Sequence, residues 1–362
     1  MQAMSSGIRW WFESIDRARR TRGAAMERMG YGPVETPYDT VMTAPGLRLR
    51  RYSANPANPG SGKAAFIVPA PIKRHYIWDL DPECSVVLRL LNEGFQVWLV
   101  EWTEPGEEDA HFGLEHYALR ALDRCMDAIR AEGGPSKLIL LGHSLGGVFA
   151  TIHAALRPER VSGLVQVESP MHFARGSGSF GPLVAFGPQP EKVTRLFGRI
   201  PGSVLNLASM VASPSTFGSE RIADMFASMG STKHMRSHLL VERWTLDEAP
   251  MAPALFEEVV DRLYLRDAFM RGELDIAGQR IGPQNVVSPL LAIYDPRSTI
   301  IPPSSIIAFH DAAASPVKRL IAYQGDTGVA LAHVGALVGS SAHAEIWPDV
   351  LAWTEGIARD WH

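Results

Sequence analysis

The stretch Leu138-Ile-Leu-Leu-Gly-His-Ser-Leu-Gly-Gly-Val-Phe-Ala-Thr-Ile-His153 decides the fold. An apolar run breaks at Gly142-His143-Ser144-Leu145-Gly146 and a helical pattern of small residues follows, which reads as strand, sharp turn, helix. A serine in a G-x-S-x-G turn is held in a strained bend, which glycines two positions to either side accommodate without collision. The bend lifts the Ser144 hydroxyl clear of the sheet edge. The helix that starts there aims its unpaired N–H groups and positive dipole end at the atom that gains negative charge in acyl transfer. The Leu145 N–H is therefore the first expected oxyanion donor. His143 reads as a packing residue inside the turn.

Working outward, strands alternate with helical patterns. Val41 to Tyr52 alternates apolar and polar residues as a half-exposed hairpin does, Ala54 to Lys63 is a Pro/Gly/Asn/Ser-rich loop, and Ala64 to Pro69 is a buried strand. A helix over Ser85–Glu93, a strand over Gly94–Trp102, a helix near Leu114–Ala131 and strands at Lys137–Leu141 and Val161–Glu168 follow. Nearly all-apolar strands separated by helices imply a parallel sheet covered on both faces. Between 169 and 285 the alternation stops, and helical patterns such as Glu220–Met229 and Ala254–Met270 dominate. Phe173, Phe180, Phe186, Phe197, Phe217, Trp244 and Tyr264 in this stretch need burial, so it is expected to cap the carboxyl ends of the strands. The core pattern resumes with the strand Ser288–Asp295, a helix near Ser304–Ala314, the strand Val317–Tyr323 and a terminal helix over Ala344–Ala358. The expected organisation is an N-terminal helix and linker (1–37), an α/β core (38–168 and 286–362) and a cap (169–285) inserted before the penultimate strand.

Composition narrows the class. The chain has 362 residues, of which 46% are hydrophobic and 20% charged, as in a soluble globular protein. A net charge of −4 argues against a nucleic-acid partner. Two cysteines, Cys84 and Cys125, are too few for a disulfide framework and read as buried spectators of a reducing, cytoplasmic compartment. No apolar run approaches the ~20 residues that cross a bilayer, and residues 1–30 lack an apolar signal core. Ile8, Trp11, Phe12 and Ile15 share one face of a short amphipathic helix. That face is expected to pack on its own chain, with a homodimer or a polyester surface as the alternative contact.

A serine hydroxyl needs a base within hydrogen-bond reach and a carboxylate to orient that base. In this topology the acid and then the histidine follow the serine. His333, ten residues beyond Tyr323 and before the terminal helix, is the expected base; His310 and His343 look like surface residues. Asp295, which closes the penultimate strand, is the preferred acid, with Glu168 at the end of the preceding strand as the alternative and Asp326 as an outsider. The second oxyanion donor belongs to the loop Ala70-Pro-Ile-Lys-Arg-His75, where Pro71 has no N–H and Ile72 is the choice. Lys73, Arg74 and His75 either attract an anionic group, such as coenzyme A phosphates, or form a solvated basic turn. No metal site and no cofactor are expected.

Several of these segments are similar to one family. Val68-Pro-Ala-Pro-Ile-Lys-Arg-His-Tyr-Ile-Trp-Asp-Leu80, Gly94 to Trp102, the elbow with Ala155-Leu-Arg-Pro-Glu-Arg-Val161, Arg271-Gly-Glu-Leu274 and His333-Val-Gly335 resemble polyhydroxyalkanoate synthases in order and spacing, over about Tyr38 to Trp353. The resemblance implies an α/β-hydrolase fold with a cap, hydroxyacyl-CoA thioesters as substrates and a covalent acyl-enzyme, with Ser144 in the nucleophile's place and His333 in the base's. Two positions depart from the pattern. The synthases carry a cysteine at the elbow. Their acid lies four residues before a proline after the penultimate strand, where this chain has Ser298, so Asp295 or Glu168 must substitute. A serine ester is not activated as a thioester is and is ordinarily released by water. The residues therefore point to an esterase or thioesterase acting on hydroxyacyl esters, hydroxyacyl-CoA or short polyesters. Acyl transfer to a polyester or other acceptor, and a degenerate granule-surface protein, are the alternatives.

Overall fold

A computed structural model describes residues 2–52, 63–173 and 178–360; the loop expected over Ala54–Lys63 falls, apart from Lys63, outside the described residues. The strands of the main sheet are β1 (Tyr38–Ala44), β2 (Leu47–Tyr52), β3 (Ala64–Val68), β4 (Gln96–Trp102), β5 (Leu138–His143) and β6 (Val161–Val167). A small hairpin of β7 (Leu274–Ile276) and β8 (Gln279–Ile281) precedes the last two, β9 (Leu290–Tyr294) and β10 (Lys318–Ala322). The eight-stranded order is β1-β2-β4-β3-β5-β6-β9-β10. β1 and β2 form the expected hairpin and β2 meets β4 antiparallel, while every pairing from β4 through β10 is parallel.

Residues of β3 alternate between two cores, one on each face of the sheet. Ala64, Phe66 and Val68 join one core and Ala65 and Ile67 the other, and all five are buried. Helices α3 (Ala121–Ala131) and α4 (Leu145–Leu156) cover the first face through Leu122, Met126, Val148 and Phe149. The second face is covered by Val87 and Leu90 of a short α2 (Val86–Asn92), whose first turn is capped by Ser85. Two later helices complete that cover. The layers explain the unbroken apolar runs, since a strand buried on both sides has no solvent face to mark with polar residues.

Between β6 and β9 the chain forms α5 (Phe180–Phe186), α6 (Pro190–Phe197), α7 (Gly202–Ala212), α8 (Glu220–Ser228), α9 (Thr232–Thr245) and α10 (Pro253–Glu258). The helix expected over Ala254–Met270 is shorter, because α10 gives way at Val259–Leu265 to wider turns. The chain then returns through α11 (Pro303–Ala312), α12 (Gly335–Val338) and α13 (Trp347–Asp360). Two histidines read as surface residues are buried instead. His310 is inside α11, and the His343 Nε2 lies 2.8 Å from the Leu337 carbonyl oxygen. Both cysteines are free and buried.

The N-terminal helix α1 (Gln2–Met26) is longer than its apolar stripe alone indicated. It packs on α6, α7 and α9: the Phe12 ring lies 5.5 Å from that of Phe197, Ser203 donates to the Phe12 carbonyl at 3.0 Å, and Arg19 donates to the Thr245 carbonyl at 2.7 Å. That packing leaves part of the expected apolar face open: Trp11 is 55% exposed and Ile8 37%, with neighbouring Trp10 at 63%.

Candidate active site

Ser144 stands between β5 and α4 with φ 53° and ψ −129°, a region that a residue with a Cβ enters at a cost of about 1–3 kcal/mol. Close packing holds it there. A Cβ on Gly146 would lie 2.1 Å from the Val68 carbonyl oxygen, and one on Gly142 would lie 2.4 Å from Gly147 Cα. The glycines of the motif thus act by letting backbone approach backbone. The first turn of α4 is consequently seated on the exit of β3, beside the loop that holds Ile72. That exit is fixed in turn by Trp102, whose indole N–H donates to the Pro69 carbonyl at 2.7 Å.

Ser144, Leu145, Ile72 and His333 line one cavity of about 370 Å³. Its remaining wall is largely apolar, with core residues such as Trp78 and Leu331 on one side and much of the rest from the segment between β6 and β9, including Phe180, Phe217, Met251 and Tyr264. That segment therefore roofs the carboxyl ends of β3 and β5. Phe173, Phe180, Phe217, Trp244 and Tyr264 line the cavity, whereas Phe186, at the end of α5, is 87% exposed against the expectation.

His333 sits in a short turn (Ala332–Val334) before α12, with its side chain 12% exposed. His143 does more than pack: its Nε2 is 2.9 Å from the His333 carbonyl oxygen, with ring centroids 4.5 Å apart. The carboxylate nearest His333 is Glu168, whose Oε2 lies 3.9 Å from His333 Nδ1. Both of those atoms are buried and have no hydrogen-bond partner. The geometry therefore favours the alternative acid. Asp295 is turned to Arg297, which approaches it through its backbone N–H at 2.8 Å and its guanidinium at 3.2 Å. Asp326 is engaged by Tyr323 and Ser341.

Glu168 also explains the departure at Ser298. It follows β6 with φ 45°, is fully buried, and accepts a hydrogen bond from the Asp295 backbone N–H, with the Ser298 hydroxyl among the groups that favour its charged form. A small hydroxyl at 298 thus faces a carboxylate contributed by the neighbouring strand. Burial pushes the Glu168 carboxyl well above its ordinary range, against the pull of those hydrogen bonds. Burial also pulls His333 down to about 4, so the imidazole rests neutral and able to accept a proton.

The basic turn after Ile72 is clasped to the cap rather than solvated. Lys73 donates to Glu248 at 2.7 Å and to the Thr245 carbonyl at 3.0 Å, while the Ala249 N–H donates to the Ile72 carbonyl at 3.1 Å. Arg74 pairs with Glu104, and His75 lies 3.1 Å from Glu35. Glu248 was not singled out in the sequence, because its partner is 175 positions away. Among the described residues no group of acidic, histidine or cysteine side chains is arranged to hold a metal ion.

A family model described as alpha/beta hydrolase fold matches residues 75–185. The chain has the α/β-hydrolase fold. In sequence the chain resembles poly(3-hydroxyalkanoate) polymerase subunits. It is 28% identical over 352 residues to that of Haloferax mediterranei, covering 95% of this chain and 70% of the relative. It is 29% identical to that of Haloarcula marismortui (91% and 69% covered) and 26% identical to that of Allochromatium vinosum (94% and 95% covered). Solved structures that share the fold include the monoacylglycerol lipase of Paleococcus ferrophilus, with a TM-score of 0.55 at 15% identity over 86% of this chain and 99% of that one. A soluble variant of monoglyceride lipase from Saccharomyces cerevisiae gives 0.57 at 13% identity over 90% and 95%.

Proposed function

We propose that this protein is an acyltransferase that takes a hydroxyacyl group from a thioester such as hydroxyacyl-CoA onto Ser144 and passes it to a hydroxyl acceptor. The supporting observation is an apolar, roofed cavity lined by Ser144 and His333, with Glu168 buried 3.9 Å behind the imidazole, in a chain that the polymerase subunits of Haloferax mediterranei and Allochromatium vinosum match over 95% and 94% of its length. The cap (169–285), the core (38–168 and 286–362) and the N-terminal helix (1–37) are part of this reading.

The steps follow from the chain's own groups. Ser144 Oγ attacks the thioester carbonyl as its proton passes to His333, and the oxyanion is held by the N–H groups of Leu145 and Ile72. The tetrahedral adduct expels the thiolate, which takes the proton from His333. The acceptor's hydroxyl then gives its proton to the same imidazole and attacks the acyl-serine, and the imidazolium returns that proton to Ser144 Oγ as the ester bond to it breaks. Glu168 orients the ring through Nδ1 and offsets the charge it gains inside a buried site.

Hydrolysis is the second reading, favoured by the serine at the elbow. It differs only in that water is the acceptor. Mass spectrometry of products from a short hydroxyacyl-CoA separates the two: transfer gives CoA with an ester-linked dimer or oligomer, hydrolysis gives CoA with free acid, and Ser144→Ala gives neither. CoA release undiminished in Ser144→Ala would refute both.

A further inference from the structure

The loop that carries His333 is held from the cap as well as from the core. Asp224 of α8 accepts hydrogen bonds from the backbone N–H groups of Gly328 and Ala330, each at 2.8 Å, one on each carboxylate oxygen. The second oxygen also lies 2.7 Å from Nδ1 of His238 on α9. This backbone needs holding. Gly328 and Ala330 have φ of 85° and 53°, the latter in a region that disfavours a residue with a Cβ. Cap and loop also meet backbone to backbone, since a Cβ on Gly328 would lie 2.6 Å from the His234 carbonyl oxygen. Burial alone would raise the Asp224 carboxyl, but the hydrogen bonds from His238, Gly328 and Ala330 outweigh it and keep the acceptor charged.

We propose that Asp224 is a positioning residue through which the cap sets the place of His333. With α8 seated, two N–H groups just upstream of the histidine are fixed, and the imidazole stays beside Glu168. With α8 displaced, Ala330 loses the bond that supports its unfavourable φ, and the ring is released from its partner. The inference rests on the reading of His333 as the base. It makes the cap part of the machinery rather than a cover, because the Ile72 loop is fastened to the same segment through Ala249 and Glu248.

The test compares wild type with Asp224→Ala and with Asp224→Asn, which keeps the size and one acceptor oxygen. Hydrogen–deuterium exchange over residues 326–334 reads the latch without reference to activity, and steady-state kinetics on a short hydroxyacyl-CoA read its consequence. Expected are faster exchange in Asp224→Ala and a kcat lowered about tenfold to a hundredfold, the size of loss that a small misplacement of a reacting group produces. KM should stay within about threefold, with Asp224→Asn intermediate. Unchanged exchange would overturn the proposal, as would faster exchange with kcat within about twofold of wild type. Absence of Ser144-dependent turnover in the wild type would overturn the proposed function alone. Faster exchange in Asp224→Ala would then still support the latch, and unchanged exchange would still overturn it.

Discussion

Two buried carboxylates stand at the ends of adjacent strands, and only one is turned to the imidazole. Glu168 approaches His333 Nδ1, whereas Asp295 is occupied by Arg297. Replacing Glu168 with Gln should lower kcat by about 10³–10⁴-fold, the loss a serine triad suffers when its acid no longer fixes the histidine tautomer. Asp295→Asn should cost about tenfold or less, since the Asp295 backbone N–H that holds Glu168 remains. Steady-state kinetics on one hydroxyacyl-CoA check both, and the reverse order would assign the acid to Asp295. The sequence placed both residues at strand ends and preferred Asp295, whereas the geometry favours Glu168. The choice lies in the positive φ of Glu168 and the small side chain at Ser298, neither of which a periodicity reveals.

At the scale of elements, the elbow was legible because its determinants are local: an apolar strand, a five-residue turn and a small-residue helix. The structure adds the reason for Gly146, which is contact between the start of α4 and the end of β3. Gly146→Ala should destabilise the fold by about 1–3 kcal/mol or more, because the obstructing atoms are backbone and cannot rotate away. Urea denaturation measures this, and an unchanged midpoint would contradict the close approach. The clasp between the Ile72 loop and the cap was not legible, since Lys73 and Glu248 meet only through the tertiary fold. Glu248→Gln removes the charge that keeps Lys73 paired in a buried setting, where burial already lowers the lysine's pKa. Its expected effect is a kcat reduced by roughly tenfold with KM little changed, as for loss of an interaction made in the transition state. A rise in KM alone would show instead that the pair serves ground-state binding.

For the whole molecule, alternation of buried strands with helices was enough to reach the layered sheet, and the stretch where it lapses is the ground for the proposed cap over 169–285. The way those helices roof the cavity depended on side chains meeting across long separations. Burial has a further global consequence. His116, His153, His333 and His343 are each lowered to about 4, chiefly by desolvation. The unfolded chain, with histidines near 6.5, takes up protons that the folded chain refuses. Their contribution to stability is fully present above about pH 6.5 and is lost as pH falls through that value toward 4. Thermal melts should therefore show Tm dropping progressively across this window. A Tm that is flat from pH 7 to 4 would contradict neutral, buried imidazoles.

The central claim, a covalent acyl group on Ser144, is tested most directly by acid-quenching the protein within its first turnovers of a short hydroxyacyl-CoA and weighing it intact, with peptide mapping of the adduct. The account predicts a mass increase of one acyl group, or of a short oligoester, on the peptide containing Ser144, and none in Ser144→Ala. CoA release with the acyl group found on Cys84 or Cys125, or an adduct that persists in Ser144→Ala, would contradict it.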